Sequence, residues 1–83
     1  IRYLLILMDI LKYDIVIKRH VFERAMQRGI HPDLIEDALM KGRINRFGKH
    51  GIKFINKGSK RTIICVGELV GTKLKIITIE EGN

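Results

Sequence analysis

The sequence predicts a small α+β domain in which an N-terminal strand and a helical hairpin pack on a four-stranded, mainly antiparallel sheet. Three observations predict it. From His20 to Gly42 the apolar residues recur at helical spacing, and after Gly42 the pattern changes to β-branched runs. The gaps between those runs are short enough for hairpins and too short for helical crossovers.

Tyr3 to Met8 are all apolar, and Asp9 ends the run. That is far below the ~20 residues needed to cross a bilayer, and the small-residue cleavage site of a secretory signal is absent. Residues 1–12 are therefore read as an N-terminal apolar extension, with Met8 as an alternative start, and 13–83 as a single domain. Within it, Ile1–Leu7 is either a dispensable extension or an apolar strand that packs on the sheet or on a second copy of the chain. Tyr13-Asp14-Ile15-Val16-Ile17 is β-branched enough for a strand. A first helix follows over 20–28, with Val21, Phe22, Ala25 and Met26 as its apolar stripe. Gly29 suits the left-handed residue beyond a helix end, and Ile30 the hydrophobic contact after it. A second helix starts at Pro32, whose fixed φ suits the first helical position, with Asp33 adding negative charge to the first turn. Leu34, Ile35, Ala38 and Leu39 share one face, Glu36, Asp37 and Lys41 lie away from it, and Gly42 ends the helix. Strands are expected over 43–47, 52–56, 61–67 and 73–80, separated by turns at 48–51, 57–60 and 68–72. The last two carry apolar residues on both faces, as central strands do.

Composition narrows the function classes. With 46% hydrophobic residues, 6% aromatic residues and no Trp, the core is small and aliphatic. Many Lys, Arg and Ile beside one Gln and three Asn is the bias of proteins from hot environments, and points to a thermophile. Cys65 is the only cysteine and stands in the apolar run Ile63-Ile64-Cys65-Val66, so it reads as a buried small hydrophobe. Nothing asks for an oxidising compartment, and a cytoplasmic location is expected. His20, His31 and His50 share no metal-ligand spacing and no acidic cluster accompanies them, so no metal and no cofactor are expected.

The net charge of +7 and pI near 9.9 suit a polyanionic partner, with nucleic acid the commonest. The charge is concentrated: Lys41, Arg43, Arg46, Lys49, Lys53, Lys57, Lys60 and Arg61 fall within 41–61 without one acidic residue. Such cations contact phosphates without reading sequence, and make binding strongly salt-dependent. Arg43, Arg46, Lys49, Lys53, Lys57 and Arg61 are the candidate nucleic-acid-binding residues. Phe47 and Phe54 are candidates for stacking on unpaired bases, or are core. Strand alternation puts Arg46 and Phe47 on opposite faces. A solvated strand edge guarded by lysines is the competing reading of the same run.

The densest concentration of chemistry is in the first helix. At ~100° per residue, His20, Arg24 and Arg28 are spaced i, i+4, i+8 and form one stacked row. An imidazole titrates in the range useful for general acid–base work. Arginines one and two turns along can hold a phosphate and stabilise charge building on it. The trio suits metal-independent RNA cleavage. The structural alternatives are a His20 hydrogen-bonded to a nearby carbonyl and arginines paired with Glu23 or Glu36. Glu80-Glu81 reads as a solvated end, with Glu80 able to pair with a helix arginine instead.

A strand, then H-x-x-x-R-x-x-x-R-G-I (His20, Arg24, Arg28, Gly29, Ile30), then a helix with an acidic start, then strands closing on Ile76-Ile77-Thr78-Ile79, resembles the family called domain of unknown function 4258. That family looks like a relative of the RelE and BrnT toxins of toxin–antitoxin pairs. The resemblance covers roughly residues 13–80. It implies a RelE-like fold and a toxin-like endoribonuclease acting on messenger RNA, with the ribosome as a candidate setting and a small acidic antitoxin as partner. RelE itself leans on a C-terminal tyrosine, and this chain has no Tyr after Tyr13, so the BrnT-like pattern of a helical histidine with basic strand residues fits better. In that pattern His20 carries the proton transfer and Arg24 and Arg28 hold the phosphate. Two alternatives stay open: a non-catalytic basic RNA- or DNA-binding domain, and a protein-interaction domain that forms a homodimer through its apolar N-terminal strand. None of the three readings involves a membrane.

Overall fold

A computed structural model describes residues 12–82. The element order is β1 (Asp14–Ile17), α1 (Arg19–Gln27), α2 (Pro32–Lys41), β2 (Arg43–Phe47), β3 (Gly51–Lys57), β4 (Thr62–Val70) and β5 (Lys73–Gly82). The α+β class, the helical hairpin and the strand sequence agree with the expectation. The expected apolar extension over 1–12, and its role in dimerisation, lie outside the described residues except for Lys12.

The sheet departs from the expectation. It has five strands, in the order β1-β5-β4-β3-β2, and is mixed. β2 to β5 form an antiparallel meander, but β1 joins as an edge strand parallel to β5, pairing Asp14–Ile17 with Lys73–Ile76. The placement follows side-chain alternation. β1 is a short strand whose alternate residues Ile15 and Ile17 belong on the helix-covered face beside Leu74 and Ile76, and only the outer edge of β5 offers it backbone partners there. β4 also runs on through Glu68, Leu69 and Val70, read from sequence as a turn, because Leu69 continues the inward series Ile63, Cys65. The turn shrinks to Gly71-Thr72.

Both helices lie on one face. The core joins Val21 and Ala25 of α1, Ile35, Ala38 and Leu39 of α2, and the inward residues Ile52, Phe54, Ile63, Cys65, Leu69, Leu74, Ile76 and Ile79. Phe22 sits at the edge of its expected stripe and is 37% exposed, over a groove with Ile15, Ile17 and Pro32. Phe54 is fully buried whereas Phe47 is 47% exposed, which removes Phe54 as a stacking residue. Burial pushes the Cys65 thiol up to about 12, so it is protonated and inert. The α1–α2 turn is closed as the sequence suggests. Gly29 adopts φ +76°, its N–H donates to Met26 O at 3.0 Å, and the N–H of Ile30 donates to Ala25 O at 2.8 Å. α2 ends differently, on an extended Gly42 with φ −68°. No helix among the described residues is long and apolar enough to cross a membrane.

The inward alternation of β5 slips once. Register shifts between Val66 and Gly67, so Gly67 pairs with Ile76 and Val66 with Thr78, leaving Ile77 as an extra residue. Before the bulge the inward residues are Leu74 and Ile76; after it, Ile79.

The two phenylalanines of β2 and β3 should separate by stability. Phe54→Ala is expected to lower the unfolding free energy by about 3–5 kcal/mol, and Phe47→Ala by less than about 1 kcal/mol. Urea melts of both variants measure this, and equal losses would contradict the burial described.

Candidate functional site

α1 follows β1 through a single residue, Lys18, and packs along β5. β1 covers the outer edge of β5 only to Ile76, so from Ile77 onward that edge has no strand beside it among the described residues. His20, Arg24 and Arg28 run alongside this stretch. They line a shallow pocket of about 160 Å³ together with Val21, Ile77, Thr78, Ile79 and Glu80. The three expected site residues of the helix therefore do come together, on one wall of one pocket, and all three are exposed. Arg28 is the anchored member, donating from Nη1 to the Ile79 carbonyl at 3.4 Å. Glu80 is the one acidic residue in the lining. Glu23, a possible partner for these arginines, instead bonds Arg19 at 3.4 Å.

His20 also lines a second hollow of about 410 Å³ with Val16, Lys18, Glu68, Lys75 and Ile77. It thus stands where α1 meets the open face of the sheet, with Lys18 and Lys75 nearby. His31 occupies the N-cap of α2 without a side-chain capping bond, and His50 is exposed in the β2–β3 turn.

The six expected nucleic-acid-binding residues do not form one surface. Register places Arg43, Lys53 and Lys57 on the open face, and Lys49 is in the turn at its margin. Arg46 points to the other face, and its Nε donates to Gly51 O at 3.2 Å. Arg61 is engaged elsewhere. Its Nε and Nη2 donate to the two carboxylate oxygens of Glu81 at 3.1 and 2.9 Å, Nη1 to Gly29 O at 2.9 Å, and Nη2 to Arg28 O at 3.4 Å. One guanidinium thus ties the start of β4, the end of β5 and the turn that closes α1. The hydrogen bond from Arg61 holds the Glu81 carboxyl below the usual carboxylate range, and the same bond raises the guanidinium's own pKa.

Searches of protein-family models, curated proteins and solved structures found no match for this chain. The site therefore rests on its own geometry.

Sequence reasoning missed two parts of it. Ile77, Thr78 and the Ile79 carbonyl form the wall opposite the helix row, and apolar or backbone groups carry no chemical signal in a sequence. The Arg61–Glu81 pair was missed because the bulge decides which of Glu80 and Glu81 faces inward. The usable signal was the broken alternation at Ile76-Ile77.

The pair sets a pH dependence. A carboxyl held below its ordinary range stabilises the fold above that range, and the contribution is lost as pH falls through it. Glu81→Gln is therefore expected to be less stable than wild type at neutral pH, with the gap closing as acid is added through and below the usual carboxylate range. Thermal melts stepped from neutral pH into acid read the gap directly. A gap that does not change with pH would mean the pair contributes nothing as an ion pair.

Proposed function

We propose that the chain is a toxin-like, metal-independent endoribonuclease, with His20 in proton transfer and Arg24 and Arg28 on the scissile phosphate. The observation that carries this reading is the pocket between α1 and the free edge of β5, where an imidazole and two guanidiniums line one wall. In the reaction, His20 takes the proton of a ribose 2′-OH, and the 2′-oxygen attacks the adjacent phosphorus. The bond from phosphorus to the 5′-oxygen breaks, that oxygen takes a proton from water, and the hydroxide left behind takes the proton held by the His20 imidazolium. The products are a 2′,3′-cyclic phosphate and a 5′-hydroxyl. Arg24 and Arg28 neutralise the charge that grows on the non-bridging oxygens. Arg28, already braced on Ile79 O, would be the better fixed of the two. Lys18, Lys75 and Lys53 would supply approach contacts to the neighbouring phosphates, while Arg61, whose donors are engaged by Glu81 and the α1 carbonyls, would not. A small acidic partner covering the row belongs to the same reading, because its carboxylates would compete with phosphate there.

A second reading is a non-catalytic nucleic-acid-binding domain. It is favoured by one observation: the His20 imidazole is exposed, and no hydrogen bond orients it among the described residues.

Mapping of messenger-RNA breaks separates the two, in a cell-free translation mixture and on naked RNA treated with EDTA. Wild type is expected to cut in the presence of EDTA. His20→Ala should reduce cutting about 10²–10⁴-fold with the fold retained, and a substrate with 2′-deoxyribose at the cut site should resist. Binding without breaks from well-folded wild type would leave the second reading.

A further inference from the structure

We propose that Phe47, Lys49 and Lys53 form a stacking subsite for one unpaired base of a single-stranded nucleic acid, on the open sheet face away from the helix row. The inference rests on the nucleic-acid part of the proposed function and not on cleavage.

Phe47 is the most exposed of the described aromatic residues, yet its ring is held. It stands opposite Gly51 in the β2–β3 register, and it occupies the space that a side chain at 51 would need, since a Cβ there would overlap the ring. The absence of a side chain on Gly51 therefore lets the ring lie across the neighbouring strand. A ring supported in this way loses little freedom when a base stacks on it, which is what a stacking platform requires. The Lys53 ammonium lies 5.9 Å from the ring centroid, close enough for a cation–π contact, and from there it can reach a phosphate beside a stacked base.

The surroundings suit the same ligand. Phe47, Lys49, His50, Val66, Glu68 and Ile77 line a hollow of about 340 Å³. Lys53 neighbours Val66 and Asn45 on this face, and Arg43 and Lys57 lie further along it. Glu68 is the acidic residue of the lining, and register sets it opposite Lys75. An apolar floor with a flat aromatic and a net positive rim fits a base with its phosphates better than it fits an acidic peptide, which has no planar group to place on the ring.

The subsite is also continuous with the helix row. Ile77, the extra residue of β5, lines the hollow beneath Phe47 and both hollows that contain His20. From β5 to β2 is three strand spacings, about 14 Å, which a strand would cross to Phe47 after passing from the row over the β5 edge at Ile77. The expected division of labour is phosphate at the row, base at the platform.

The test is binding of a short single-stranded RNA carrying a fluorescent adenine analogue, titrated at several salt concentrations with wild type and variants. Phe47→Ala is expected to weaken binding about tenfold while leaving the salt slope unchanged. Phe47→Trp should keep the affinity and quench the analogue, and Lys53→Gln should reduce the salt slope by about one. A melt shows that each variant is folded. Equal affinity in wild type and Phe47→Ala would overturn the subsite while leaving any RNA cleavage by the helix row standing. Failure of wild type to bind the RNA even at low salt would overturn the subsite and the nucleic-acid reading together.

Discussion

Ile77 is one residue too many for the ladder it sits in, and the site depends on how the sheet absorbs it. In an unbroken strand, Leu74 and Ile76 would be followed inward by Thr78 and Glu80. The shift opposite Val66 and Gly67 instead brings Ile79 into the core and puts Glu81 on the same side. Glu81 then meets Arg61, which also donates to the carbonyls of Arg28 and Gly29. Those carbonyls belong to the helix end that carries Arg28. The bulge thus sets the tie between the end of α1 and β5, and with it the place of the His20, Arg24 and Arg28 row over the free strand edge.

The division between core and surface is sharp. No polar or charged residue is buried among the described residues, and no buried side-chain nitrogen or oxygen lacks a partner. Both helices cover the same face of the sheet, so the other face is where Val66, Ile64 and Ile55 remain half-buried beside lysines. An aliphatic, lysine-bordered strip of this kind is stable in water because its long cationic stems shade it.

The fold was legible where side-chain period and punctuation agreed. Gly29-Ile30 and Pro32 marked the two helix boundaries by their backbone needs, and the meander followed from short gaps. What was hidden was pairing between distant segments. Nothing in Asp14-Ile15-Val16-Ile17 says that its partner lies almost sixty residues later or that it runs parallel. Leu69 falls in the stretch expected to turn because Glu68 before it is charged and Gly71-Thr72 follow one residue later. The helix row was legible because a fixed helical repeat places i, i+4 and i+8 together whatever the tertiary structure. The basic run over 41–61 was legible as charge but not as a surface, since strand alternation and the engagement of Arg61 divide its members between different parts of the molecule.

The position of Cys65 has a further consequence. It is the only thiol of the chain, fully buried between β3 and β5, and protonated. Its side chain faces the helix-covered side of the sheet, so a bulky electrophile can meet it only after the helices have lifted from the strands or the domain has unfolded, and the rate of its labelling counts those openings and ignores fraying at the sheet edges. The chain thus carries an internal gauge of its own cooperativity, with no probe to engineer and no second thiol to confuse the reading.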